Sequence, residues 1–78
     1  MMQKRLTPLH WRRVVSALER LGYEVDHHTG SHIVMRRKEP PHYRVVVPCH
    51  REVSVGTLRA IIRHARVGRQ EFLDALED

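Results

Sequence analysis

Trp11, Val14, Val15, Leu18 and Leu21 recur at the spacing that places side chains on one stripe of a helix. Thr7 followed by Pro8 predicts the cap and first residue of that helix, and Gly22 its end. The period then changes. In "YEVDHH", Tyr23 and Val25 alternate with Glu24 and Asp26, as in a strand with one buried face, and Thr29-Gly30-Ser31 supplies a turn before "HIVMRRK". Two prolines in "EPPH" remove backbone donors and interrupt the pattern, which "YRVVV" resumes with high β-propensity until Pro48. Helical spacing returns in Val55, Leu58, Ile61, Ile62 and Ala65 behind a Ser54 cap. Gly68 and Glu71 resemble a weak capping box for a short last helix with Phe72, Leu73 and Leu76 on its apolar side.

The predicted order is α-β-β-β-α-α in one domain spanning residues 1–78. Strands joined by short loops form an antiparallel meander. Two amphipathic helices and a half-apolar sheet bury their apolar sides together by packing as two layers, which predicts an α+β fold with helices on one sheet face. A double-stranded-RNA-binding-like fold has this helix, three strands, helix order. Alternation does not fix the register of the second strand, because Ile33, Val34 and Met35 are all apolar. If Ile33 and Met35 are buried, His32 shares the open face with Arg36; if Val34 is buried, His32 lies at the edge of the covered side.

Composition narrows the class. The 78 residues are 41% hydrophobic and 29% charged, as in a small globular protein. Cys49 is the single cysteine, so no intramolecular disulfide is available, and no apolar run is long enough for a signal peptide or a membrane span. The expected location is cytoplasmic, with no membrane partner. Charge adds more: the net is +5, with a pI near 10.4. Residues 1 to 68 hold thirteen Lys and Arg against five Asp and Glu, a net of +8, while the stretch from Arg69 onward carries −3. A basic surface of that kind suits a polyanion, although a solvated surface has the same composition.

Seven histidines and Cys49 raise the question of a metal. His27, His28, His32, His42, Cys49 and His50 show none of the paired CxxC or HExxH spacings that zinc sites use, so no metal and no cofactor is expected. Cys49 lacks an evident activating partner and reads as a small, half-buried residue. Ser31 and His32 are adjacent, and neighbours on a strand point to opposite faces, so Ser31 is not expected to be activated by His32. His32 follows a glycine turn and precedes Arg36, Arg37 and Lys38. An imidazole takes or gives a proton near neutral pH, and arginines offset charge developing on a phosphate. Position alone fits a structural or merely exposed histidine better than a reactive one.

The segments "LERLGYEV", "GSHIVMRR", "YRVVVPCH", "VGTLRAIIRHA" and "EFLDAL", in this order over nearly the whole chain, resemble the HicA-type mRNA interferase toxins of prokaryotic toxin-antitoxin pairs. The resemblance implies a double-stranded-RNA-binding-like fold, metal-independent endonuclease activity on mRNA, and a HicB-type antitoxin that covers the active site. The family's catalytic histidine lies in a Gly-Ser-His motif, here Gly30-Ser31-His32, so its role carries to His32. Gly30 then supplies the turn, and Ser31 is a candidate for a backbone or phosphate hydrogen bond. The "GTLR" signature falls on Gly56, Thr57, Leu58 and Arg59.

The chain has Val55 where many members have proline, and Ala65-Arg66-Val67 where members usually read Ala-Gly-Ile. Arg36, Arg37, Lys38 and Arg44 are the expected phosphate contacts, and the Arg59, Arg63, Arg66 stripe is the candidate antitoxin interface. His28, His42 and His50 are unranked candidates for a second proton-transfer group. The alternatives are a non-catalytic RNA-binding module of the same fold and a basic protein-interaction domain.

Overall fold

Six elements follow the order read from the pattern: α1 (Trp11–Arg20), β1 (Tyr23–His28), β2 (His32–Arg37), β3 (Arg44–Pro48), α2 (Val55–Ala65) and α3 (Arg69–Ala75). They belong to a computed structural model that describes residues 5–77.

The first helix begins later than Thr7-Pro8 predicts. Leu9 instead forms an antiparallel bridge with Val53, its N–H 3.1 Å from the Val53 carbonyl and its own carbonyl 2.6 Å from the Val53 N–H. Residues paired in this way are extended and cannot also begin a helix, so tertiary pairing overrides the local cap signal. His10 takes the cap: its backbone is extended and its Nδ1 accepts from the Arg12 N–H at 3.1 Å. At the other end Gly22 adopts φ 98°, a left-handed conformation that glycine enters without a Cβ penalty, and its carbonyl accepts from the Lys38 N–H.

The sheet runs β1-β2-β3, with both pairs antiparallel. Burial of Ile33 and Met35 settles the register: Val34 turns away from the helices, and His32 and Arg36 turn with it. On β3, Val45 and Val47 are buried and Val46 is exposed. The expectation for Val25 fails. It pairs with buried Met35 but is 44% exposed, because β1 is an edge strand and its cover ends after Tyr23.

The helices occupy the other layer. Ser54 caps α2 by accepting from the Thr57 N–H, and Leu58, Ile61, Ile62 and Ala65 are buried beneath it. Val55 stands in the first turn without loss of that cap, so the missing proline changes nothing there. Arg66 ends α2 at φ 58° and ψ 37°. A residue with a Cβ pays roughly 1–2 kcal/mol for this left-handed conformation. Arg66 thus holds a conformation that a glycine would enter without that cost.

The buried Tyr23 hydroxyl donates to the Ala65 carbonyl at 2.7 Å, satisfying one of the carbonyls that a helix end leaves unpaired. Burial raises its pKa above the ordinary 10, although the nearby Arg37 and Arg66 oppose the shift. The Gly68 N–H donates to the Glu71 carboxylate at 2.7 Å at the start of α3. Phe72, Leu73 and Ala75 are buried. Arg20 and Arg13, from α1, donate to the Ala75 and Leu76 carbonyls at the end of α3. Among the described residues no polar or charged side chain is buried, Tyr23 being counted with the apolar core.

Candidate active site on the open sheet face

The turn ahead of β2 is built by Thr29. Its N–H donates to the His32 carbonyl at 2.9 Å, and its hydroxyl both donates to that carbonyl and accepts from the His32 N–H, each at 3.2 Å. Gly30 has no positive φ, and a Cβ placed there would meet nothing within 4 Å, so the backbone makes no demand for glycine at the apex. The Ser31 carbonyl accepts from the Cys49 N–H at 2.9 Å, tying the turn to the end of β3.

This local geometry overturns one expectation. Ser31 lies just before the strand, where alternation does not apply, and its Oγ stands 2.9 Å from His32 Nδ1. The hydroxyl can donate to an unprotonated Nδ1 or accept from a protonated one. In both cases the ring is anchored through Nδ1, and Nε2 has no hydrogen-bond partner among the described residues. His32 is exposed, so Nε2 is accessible to a phosphate from outside.

The cations divide into groups. Arg36 and Arg44 face each other on the open side, at the end of β2 remote from His32. Both have carboxylate neighbours on β1: Glu24 lies 3.9 Å from Arg36, and Asp26 lies 3.0 Å from Arg44. Arg37 pairs with Tyr23, on the covered side, and donates to the Pro40 carbonyl at 3.2 Å. Lys38 follows the strand and borders a shallow cleft with Arg20, Gly22 and Arg37. The four expected phosphate contacts therefore do not form one patch. Arg59 and Arg63 are exposed on α2, whereas Arg66 leaves the helical stripe at its left-handed cap and lies over the Tyr43 ring, 4.9 Å from its centroid.

None of the three histidines named for a second proton-transfer role is placed beside His32 by strand pairing. His28 pairs with Ile33 and so faces the helix side, where its ring meets Trp11 and its Nε2 lies 3.8 Å from Cys49 Sγ. His42 sits at the opposite end of the sheet, its Nδ1 3.0 Å from the Arg37 carbonyl. His50 lies beyond β3, where its carbonyl accepts from the Trp11 N–H.

The histidine that shares the open face is His27. It pairs with Val34, which makes it a diagonal neighbour of His32, and diagonal side chains of this kind stand about 7–8 Å apart. A β-bulge between Val25 and His27 brings this about, and Asp26 within it lies 3.2 Å from His27 Nδ1. The His27-His28 doublet carried a signal, since adjacent strand residues put one ring on each face; the bulge that decides which ring faces His32 did not show in the alternation. Among the described residues no three His, Cys, Asp or Glu side chains form a group suited to a metal ion. No helix is long and apolar enough to cross a membrane.

Against known protein families, residues 11–67 match the model described as the HicA toxin of bacterial toxin-antitoxin. The match covers α1 through the end of α2 and therefore includes the whole sheet and the His32 turn. A comparison with curated proteins gave no match.

Proposed function

The chain belongs to the HicA toxin family, the toxin half of bacterial toxin-antitoxin pairs, and on that premise we propose that it is an mRNA endonuclease in which His32 transfers a proton. One observation carries the reading: His32 is exposed on the open face, with Nδ1 anchored by Ser31 and Nε2 directed to solvent. A general acid or base needs this combination of fixed orientation and access.

In the reaction we envisage, the nucleophile is the RNA 2′-hydroxyl. Its oxygen forms a bond to phosphorus as the bond from phosphorus to the 5′-oxygen breaks. The 2′-hydroxyl proton passes to a base, and the departing 5′-oxygen takes a proton from an acid. His32 fills one of these roles. His27 is the favoured candidate for the other, because it shares the face and is steered by Asp26. The two imidazoles then flank a phosphate from adjacent strands. The step calls for no metal, because the imidazoles carry the protons and a protonated imidazole offsets part of the charge that grows on the phosphate, so cleavage should persist in EDTA.

The partner follows from the same premise. A HicB-type antitoxin covering the open face would hide His32, and its acidic side chains would complement Arg36 and Arg44.

The test compares wild type with His32→Ala in nuclease-free preparations checked for folding. Loss of RNA cleavage and of growth arrest, with RNA binding retained, supports the assignment. Undiminished cleavage by the folded variant rules it out. His27→Ala should remove one limb of the pH-rate profile and leave the other, an effect that a purely structural histidine would not produce.

A further inference from the structure

The third cationic group lies away from His32, at the β3 edge. A cleft of about 530 Å³ there is lined by Tyr43, Arg44, Arg63, His64 and Arg66, with no carboxylate and no aliphatic side chain among them. Among the described residues neither Arg63 nor Arg66 has an ion-pair partner, while Arg44 shares its charge with Asp26. The C-terminus of α2 attracts cations, and this accounts for Arg63 and His64. It does not account for Tyr43 and Arg44, which come from another element, or for a left-handed arginine where glycine would be unstrained. Strain of this kind persists where the surroundings hold it in place, and here the Tyr43 ring lies under the Arg66 guanidinium.

We propose that this cleft binds a backbone phosphate of the RNA strand, separate from the phosphate that is cleaved. The identity of the polyanion rests on the nuclease reading above. Guanidinium forks match phosphate oxygens in pairs, and a fork already held flat on a ring loses less freedom on binding. The lining favours phosphate because three guanidinium groups converge there with no carboxylate among the lining residues, and an acidic protein side chain in the same place is the outcome that antitoxin binding by the variants below tests. Arg44 is four strand residues from Pro48, the partner of His32, a separation of about 13 Å. A phosphate held in the cleft therefore fixes the strand at a point beyond the scissile bond, with Arg44 part of the cleft and Arg36 beside it on the neighbouring strand.

The experiment uses the full chain and a 2′-O-methylated RNA oligonucleotide, which lacks the free 2′-hydroxyl and so reports binding without cleavage. Arg63→Gln and Arg66→Gln should each weaken binding about three- to tenfold at low salt. Each should also lower the slope of log affinity against log salt by about 0.7, the increment for one phosphate contact on a single strand. Arg66→Gly should weaken binding as much while folding at least as well, which separates the cleft from any loss of structure. Arg59→Gln, on α2 outside the cleft, should change neither quantity. Unchanged binding by the Arg63 and Arg66 variants would overturn the proposal, as would an equal loss in Arg59→Gln, the mark of diffuse attraction. Loss of antitoxin binding by these variants with RNA binding intact would also overturn it and assign the cleft to the protein partner. Failure of wild type to bind the oligonucleotide would remove the RNA reading as well, so the two failures are distinguishable.

Discussion

The two faces of the three-stranded sheet use the same strands differently. On the covered face Ile33, Met35, Val45 and Val47 are at most 5% exposed and belong to the apolar core. On the open face His27, His32, Arg44 and Val46 are exposed and Arg36 is half-buried, with one serine hydroxyl on His32, a His27-Asp26 contact and two arginine ion pairs. Stability is therefore concentrated on one side of a layer a single backbone thick, and the proposed chemistry on the other. Because successive residues alternate between the sides, a substitution on one face should leave the other nearly untouched.

The comparison can be broken most forcefully from the covered side. Phe72→Ala removes a fully buried ring and should lower unfolding free energy by about 3–5 kcal/mol in a urea titration, a large part of what a chain of this size possesses. Toxicity would then disappear through unfolding alone. His32→Ala should do the reverse: cleavage falls by about a hundredfold or more, while the urea midpoint moves by no more than the roughly 0.5 kcal/mol usual for exposed sites. If His32→Ala unfolds the protein, the separation of faces is wrong.

Tyr23→Phe probes the seam between sheet and α2. It leaves the Ala65 carbonyl without its donor and should cost about 1–3 kcal/mol. The pH dependence carries the sign. Burial raises the Tyr23 pKa above 10, so at high pH the unfolded chain loses this proton first. The contribution is complete below pH 10 and declines as pH rises through the folded-state value. Tyr23→Phe should therefore lose less stability than wild type over that alkaline range, as thermal melts would show. The smallest effect belongs to Asp26→Asn. An exposed carboxylate pair contributes roughly 0.5 kcal/mol, so folding should barely change, while release of Arg44 tightens RNA binding about twofold.

Most of the fold was legible because the elements follow repeating burial. The α2 stripe, the Ser54 cap and the hairpin each depend on residues close in sequence. The start of α1 was misread because Leu9 answers to Val53, far along the chain, and no local pattern reveals that pairing. The second strand's register needed the helices, since three consecutive apolar residues suit either face. At the site, the Gly-Ser-His resemblance located His32. It gave no means of knowing that Thr29 rather than Gly30 builds the turn, or that Ser31 reaches the ring. The placement of His27 on the face of His32 was not legible, because a bulge interrupts the two-residue period on which a strand reading depends.

The bonds from Arg13 and Arg20 to the last carbonyls of α3 have a consequence for the protein's electric field. Glu71 and Asp74 belong to the one segment with net negative charge, and buried Phe72 and Leu73 fix that segment against the helical layer. The segment is thus held in one place against the helical layer, where Glu71 borders a cleft with Arg37, Tyr43 and Arg66. The acidic end therefore keeps one position relative to the sheet, and the chain's net positive charge presents a fixed orientation to an approaching polyanion.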